Sequence, residues 1–251
     1  MATERKYFSF RGRVFAGPRD AQGNPLGLTF MGNVPSLQVK MNVETDEHTE
    51  SMSGLDLVDD MQITKRAAEI SVDAEELLKD VLGYALNASV TEVTPGNVST
   101  PETLCVNAET GKIFLLSKQN VSSVVLSDSS GDVDGEKYTV NGPHGSVEFL
   151  DVSGITGPVT AKYSYGAARR VVMFKSVLPE IWVRLNGINK TDMSKVVVDL
   201  YRVRLNPAET LDFINSGARS KFTLSGAVLA DMTKPADGEL GQFGRMILLD
   251  M

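Results

Sequence analysis

Hydrophobic and polar residues alternate along several stretches of this chain, the pattern of strands that bury one face. The alternation is clearest where the apolar residues are Leu37, Val39, Met41 and Val43 and the polar residues are Gln38, Lys40, Asn42 and Glu44. Similar patterns run from Arg5 to Phe15 and from Met61 to Val72. Turn-forming residues fill Gly17 to Gly27 and predict a long loop after the first strand.

A helix is predicted after the Met61 to Val72 strand. The sequence Asp73-Ala-Glu-Glu76 has the form of a capping box, in which a carboxylate accepts from the free amides of a first helical turn. An apolar stripe at helical spacing follows it, formed by Leu77, Leu78, Val81 and Leu82. This pattern predicts a helix over residues 74–86.

The composition of the chain changes at Thr94-Pro95-Gly96. Short alternating segments separated by Gly and Asp turns begin there. They continue to Gly166, so the sequence predicts a small all-β module over residues 95–168, inserted between two parts of a core at 1–94 and 169–251. The module is expected to face outward. Strands predicted after it are Arg170 to Phe174, Ile181 to Leu185, Lys195 to Tyr201, Phe222 to Leu229 and Met246 to Leu249.

The composition is that of a folded protein, with 42% hydrophobic and 23% charged residues among 251. The longest apolar runs are far shorter than the roughly 20 residues of a membrane-spanning helix, and the N-terminal residues lack the pattern of a secretory signal. The net charge is −7, with no basic stripe, which disfavours tight binding to nucleic-acid phosphates.

Few residues are suited to catalysis or metal binding. Cys105 is the single cysteine and is expected to be a half-buried hydrophobe. The segment from Asp128 to Glu136 looks like a calcium loop, but an EF-hand alignment puts Ser130 first and Asn141 where a glutamate is needed, so a β-turn is predicted. His48 lies among carboxylates in a stretch expected to be a solvated loop. We therefore predict no catalytic, metal-binding or cofactor-binding residue.

Two blocks of sequence carry a family resemblance. The first is GNVPSLQVKMNVETDEHTESMSGLDLVDD at residues 32–60, followed by a strand and the DAEELLKDVLGYAL segment. The second is LNGINKTDMSKVVVDLYRVRLNPAETLDFI at residues 185–214, followed by FTLSGAVLAD. In this order they resemble the major tail tube protein of siphophages, the long-tailed bacteriophages.

The resemblance implies a mainly β fold: two packed antiparallel sheets, sandwich-like or barrel-like, with one flanking α-helix and the inserted small all-β module. It implies rings of six copies that stack into a tube for DNA ejection, located in the virion tail and assembled in the host cytoplasm. Its partners would be other copies of the chain and the tape measure, tail terminator and distal tail proteins. DNA would only pass through the tube. No membrane partner and no cofactor is expected.

Roles in such a tube are predicted for two groups of residues, the first from the family and the second from what a conduit for DNA must avoid. A polar loop at residues 44–54 would make contacts between rings, through Glu44, Asp46, Glu47, His48, Glu50, Ser51 and Gly54. Candidates to line the lumen are the polar faces of two strands, namely Gln38, Lys40, Asn42 and Glu44 in one and Asp199 in the other. Lys40 would be expected to pair with a neighbouring carboxylate, because an unpaired cation on the wall would bind DNA phosphates.

Two other functions fit the pattern of strands. A carbohydrate-binding or adhesive β-sandwich is the main alternative, although one Trp and six Tyr are a thin supply of aromatic residues for a sugar platform. A hydrolase with paired carboxylates is the third. Trp182 is expected in the core, with a subunit contact as its alternative role.

Overall fold

The structure, a computed structural model, describes residues 7–175, 179–211, 213–214, 216 and 220–249. It is mainly β, with 53% strand and 4% helix, which confirms the predicted fold class of antiparallel sheets with one helix. Its strands are β1 Phe10–Pro18, β2 Thr29–Phe30, β3 Ser36–Thr49, β4 Val58–Ala74, β5 Ser89–Val93, β6 Gly96–Cys105, β7 Ile113–Leu115, β8 Val121–Ser127, β9 Tyr138–Asn141, β10 Ser146–Phe149, β11 Val159–Tyr165, β12 Ala168–Val172, β13 Glu180–Asn189, β14 Lys195–Leu205, β15 Phe222–Val228 and β16 Gly244–Leu249. The helix, α1, spans Lys79–Ala85, and a 3-10 turn spans Gly135–Lys137.

The chain divides into two compact units. Unit 1 contains the described residues of 1–89 and 171–251, and unit 2 contains residues 90–170. The predicted role of residues 95–168 as a separable, outward-facing module stays a prediction.

Unit 1 is built on an eight-stranded sheet in the order β2, β1, β13, β14, β15, β4, β3, with β16 paired to β14 beside this path. Among the described strands the order ends at β2 on one side and β3 on the other, so the sheet is open. Its core is continuous across β1, β4, β13, β14 and β15, and α1 contributes Val81 and Ala85 to it. The longest pairing joins β3 to β4, which form a hairpin of 14 and 17 residues.

The helix is shorter than predicted, and the capping box is wrong. The Asp73 carboxylate does not cap α1, because it accepts hydrogen bonds from Lys221 Nζ and Thr223 Oγ1, both at 2.7 Å. The Lys221 hydrogen bond, followed by that of Thr223, lowers the pKa of Asp73. These contacts favour extended backbone at Asp73, and β4 runs on to Ala74. Helix α1 begins after Leu78, which provides no side-chain cap.

Two predicted loops are partly strand. Strand β3 continues through Thr49, so the expected loop at residues 44–54 is confined to its second half. Strand β1 runs from Phe10 to Pro18, and a bridge between Arg19 and Pro25 closes the turn-rich stretch beyond it. The start of the predicted first strand, residues 5–6, lies outside the described residues.

Unit 2 has two three-stranded sheets, in the orders β7-β10-β9 and β6-β11-β8. Its own core includes the fully buried Leu126, Val147, Phe149 and Val159. The predicted turn at Asp128 is observed: the Asp128 carboxylate accepts from the backbone amides of Ser130, Gly131 and Thr156 at 2.7, 3.1 and 2.8 Å. The hydroxyl of Ser130, followed by these amides, lowers the pKa of Asp128 to about 2. The carboxylate therefore organises a turn.

Among the described residues, no helix has the length and apolar character that crossing a bilayer requires.

Candidate functional site

The β3–β4 hairpin has two halves with different surroundings. From Ala68 to Ala74, alternate residues of β4 are buried against the core, and this segment pairs with both β3 and β15. From Val58 to Arg66, every residue of β4 is exposed. Within the described chain this outer half pairs only with β3. We call residues 39–66 the outer hairpin.

The outer hairpin carries large apolar side chains that the described part of the chain leaves exposed. Met41 is 82% exposed, Met61 is 61% exposed and Met52 is 92% exposed. Nine large apolar residues of this segment are exposed: Val39, Met41, Val43, Met52, Leu55, Leu57, Val58, Met61 and Ile63. Single exposed apolar residues are common on protein surfaces, but a contiguous set marks an interaction site.

An apolar groove lies at the inner end of this segment, where the sheet forks. Along β14, β15 is paired up to Val228 opposite Val203, and β16 then begins with Gly244 opposite Leu200. Strands β4 and β3 continue past Val228 without pairing to β16. The groove between them has a volume of about 470 Å³. Its lining includes Val39, Met41 and Val43 of β3, Val198 and Leu200 of β14, and Met246 of β16.

The opposite face of the hairpin is polar, and its lysines are paired. Lys40 Nζ lies 3.9 Å from Glu69 Oε2, and Lys65 Nζ lies 2.7 Å from Glu44 Oε1. The Glu44 hydrogen bond raises the pKa of Lys65. Asn42 Nδ2 donates to Glu69 Oε1 at 3.0 Å. Gln38, Lys40 and Asn42 therefore share one face, and the pairing expected for Lys40 is present.

The tip of the hairpin is an ordered turn built around Glu50. The Glu50 carboxylate accepts from the amides of Met52 and Ser53 at 2.7 and 2.9 Å and from the Ser53 hydroxyl. The hydroxyl contact, followed by the Ser53 amide, lowers the pKa of Glu50. Gly54 has a φ of 71°, in the left-handed region that glycine tolerates. These contacts fix the backbone from which Leu55 and Leu57 project.

The residues predicted to contact the next ring are all part of this hairpin. Glu44, Asp46, Glu47 and His48 lie on β3, whereas Glu50, Ser51 and Gly54 lie in the tip. His48 Nδ1 lies 2.6 Å from Asp59 Oδ1 across the hairpin. From residue 44 to residue 60 the sequence has seven carboxylates and no lysine or arginine, so this end of the hairpin is strongly acidic.

Asp199 was predicted to face a lumen, and this is wrong, because its side chain is fully buried in unit 1. Its carboxylate accepts from Trp182 Nε1 and Arg184 Nη1, both at 3.2 Å, and from Arg245 Nε at 3.1 Å. Two guanidinium groups from neighbouring strands therefore compensate the buried charge. Trp182 is buried beside it, as expected, with its ring centroid 4.7 Å from that of Tyr201.

Sequence reasoning missed the apolar part of the site. The alternation of Val39, Met41 and Val43 predicts an apolar face, but the pattern cannot show whether a second layer covers that face. A partial signal was present: Leu55, Leu57 and Val58 are apolar residues in a segment otherwise rich in acids.

The fold and the outer hairpin thus define a mainly β protein with a large apolar surface that the described residues leave exposed. The chain belongs to the family described as "Protein of unknown function UCP028589", whose model matches residues 7–247. Comparison with curated proteins gave no match.

Proposed function

We propose that this protein is a structural subunit that assembles with copies of itself into stacked rings, forming a phage tail tube through which DNA passes. The observation that carries the proposal is the outer hairpin, with nine exposed apolar side chains in one segment of an otherwise packed sheet. The resemblance of residues 32–60 and 185–214 to siphophage tail tube proteins supplies the kind of assembly, including rings of six.

The energetics of the hairpin support association. Complete burial of one large apolar side chain contributes about 1.5–3 kcal/mol. Association of two proteins costs on the order of 4–15 kcal/mol in lost freedom of motion. Covering several of the nine side chains can offset that cost, whereas a monomer leaves them in water.

The open sheet supports the same conclusion. The edge of β3 has no partner strand among the described residues, so another strand can pair there, and natural proteins cover or close such edges. Strands contributed by several copies can close into one barrel that has no edge. In a ring, the edge of β3 would therefore pair with a strand of the neighbouring copy, and the chain would need no additional strand of its own to cover that edge.

The polar face of the hairpin is suited to a wall beside DNA. A phosphate backbone has about one negative charge per 1.7 Å of helix axis, and unpaired cations on the wall would hold it. Lys40 and Lys65 are each paired with a carboxylate on this face. We therefore assign Gln38, Lys40 and Asn42 to the lumen wall in the proposed tube, and Asp199 is no longer a candidate.

Negative-stain electron microscopy of the purified full-length protein over a range of concentrations tests the proposal, with sedimentation velocity on the same samples. We expect rings with a central channel and, at higher concentration, stacks of rings. Monomers at every concentration would contradict the proposal and favour a binding module such as the carbohydrate-binding alternative.

A further inference from the structure

We infer that a polar pocket on unit 2 binds the oxyanion of a small ligand, either a carboxylate or a phosphate group. The pocket has a volume of about 200 Å³, and its lining includes Lys118, Gln119, Tyr165, Arg169 and Arg170. All of these residues belong to unit 2. The inference goes beyond the proposed function, because neither a ring nor a tube requires a ligand on this unit.

The first argument is the grouping of positive charge at the pocket. Residues 90–170 contain nine aspartates and glutamates but six lysines and arginines, so unit 2 as a whole is acidic. Three of those six cations, Lys118, Arg169 and Arg170, line this one pocket. Neighbouring cations repel one another unless an anion lies between them. Their grouping on an acidic unit therefore favours an anionic ligand.

The second argument is that the chain leaves much of this charge without a partner. Among the described residues, the Arg170 side chain forms no ion pair and no hydrogen bond. Lys118 forms no ion pair there either, and its Nζ lies 5.3 Å from the centroid of the Tyr165 ring. Arg169 donates through Nε to Glu92 Oε1 at 3.1 Å, and its two terminal nitrogens have no partner in the described part of the chain. An oxyanion in the pocket would supply these donors with an acceptor.

The third argument is that the loop carrying Lys118 is already fixed. The amide and the hydroxyl of Ser117 donate to the Glu102 carboxylate at 2.9 and 2.5 Å. On the other side of Lys118, the carbonyl of Asn120 accepts from the Gly166 amide at 2.8 Å, which joins the loop to the segment leading into β12. A Cβ at Gly166 would lie 2.2 Å from Asn120 Nδ2, so glycine is needed for this approach. Little reordering remains when a ligand binds, which favours affinity.

The fourth argument is the size of the pocket and the kind of donors around it. Its volume is below the roughly 300–1,000 Å³ of typical small-molecule sites, so a compact group fits it best. Guanidinium groups present planar pairs of N–H donors that match carboxylates and phosphates. The Gln119 amide and the Tyr165 hydroxyl form no hydrogen bond among the described residues, so they can bind hydroxyl groups beside the anion. A sugar phosphate or a sugar acid has this combination of groups.

Isothermal titration calorimetry of the full-length protein at one ionic strength tests the inference. The probes are glucose 6-phosphate and glucuronate, and glucose is the matched control because it has the same hydroxyl ring without the oxyanion. We expect the charged sugars to bind at least about ten-fold more tightly than glucose, since hydrogen bonds to ionised groups are roughly twice as strong as neutral ones. Tighter binding of either charged sugar supports the inference and identifies the oxyanion.

Variants of the full chain show whether the binding takes place in this pocket. Arg170→Gln and Lys118→Gln each remove one charge from the pocket, and Lys162→Gln removes one from an exposed position of unit 2 outside it. Each pocket variant should weaken binding of the charged sugar about ten-fold or more, whereas Lys162→Gln should bind like the wild type. Arg170→Lys should lie between the wild type and Arg170→Gln, because it keeps the charge without the planar fork. Circular dichroism establishes that each variant is folded.

Three results would overturn the inference: equal affinity for the charged and neutral sugars, no binding of a charged sugar up to about 10 mM, or an equal loss in Lys162→Gln. Sedimentation velocity on the same variants separates the inference from the proposed function. Assembly of Arg170→Gln like the wild type supports a ligand site, whereas loss of assembly would make the pocket a contact between copies and overturn the inference. A wild type that stays monomeric yet binds the charged sugars would contradict the proposed function alone.

Discussion

The two units of this protein differ in how far their large apolar residues are exposed. Unit 2 encloses Phe149, Val147 and Leu126 between its own small sheets, and its large exposed apolar residues among those described are Val106, Ile113, Leu115, Val125 and Leu150. Unit 1 has the larger sheet, yet nine such residues are exposed within its outer hairpin alone. Unit 2 therefore covers most of its large apolar residues itself, whereas unit 1 has an apolar surface that the described chain leaves exposed and that the proposed assembly would cover.

Paired substitutions test this contrast directly. Phe149 is fully buried and packs edge-to-face on Phe114, with ring centroids 5.5 Å apart. Phe149→Ala should lower the free energy of unfolding of unit 2 by about 3–5 kcal/mol. Met41→Ala should change that of unit 1 by less than about 0.5 kcal/mol in monomers, because Met41 is largely in water.

Urea unfolding at low protein concentration measures both effects. The fluorescence of Trp182 reports on unit 1. Near-ultraviolet dichroism includes Tyr138, Tyr163 and Tyr165 of unit 2 as well as Trp182 and Tyr201 of unit 1, so the part of its change that does not follow the fluorescence reports on unit 2. Comparable losses for the two substitutions would mean that the hairpin is part of the monomer core, and the contrast between the units would fail.

A second test addresses the buried interior of unit 1, where Asp199 lies. Asp199→Asn leaves Arg184 and Arg245 without their shared carboxylate. Removing one partner of a buried ion pair costs about 3–5 kcal/mol, and the partial exposure of both arginine side chains reduces the expected loss to about 2–3 kcal/mol. Urea unfolding followed by far-ultraviolet dichroism gives the value, with Glu47→Gln on the exposed hairpin as the control. A loss no larger than the control's would show that water already solvates the two arginines.

The smallest effect is expected at the Asp128 turn of unit 2. The pKa of Asp128 is lowered from 3.8 to about 2, so its ionised form stabilises the folded unit fully above pH 3.8. That contribution is lost as the pH falls from 3.8 towards 2. Asp128→Asn should therefore flatten the pH dependence of the unfolding free energy in this range, as followed by near-ultraviolet dichroism. An unchanged slope would mean that the turn does not depend on the charge.

The sequence indicated the strands well because their pattern is local. Alternation identified the extended character of β3 and of most of β4, and the hydrophobic content required a core. The predictions that failed concern residues whose structure depends on contacts with distant parts of the chain. The capping box at Asp73 was overridden by Lys221 and Thr223, which lie about 150 positions away in the chain.

The candidate site shows a further limit of local pattern. Asp199 seemed to belong to a water-facing side of a strand, but Arg184 and Arg245 on adjacent strands allow its burial. The segment from Thr45 to Thr49 is a strand although its sequence lacks apolar alternation. The alternation is missing because neither face of this segment is buried by the described residues. The groove depends on the fork between β16 and the hairpin, which no single stretch of sequence encodes.

Cryo-electron microscopy of the assembled protein tests most directly whether the outer hairpin is completed by other copies. We expect a ring-based tube in which residues 39–63 lie between copies, with Met41, Met61 and Leu55 buried and Gln38, Lys40 and Asn42 facing a channel without unpaired cations. An assembly that leaves those apolar side chains in solvent, or a channel lined mainly by unpaired lysine and arginine, would contradict this account.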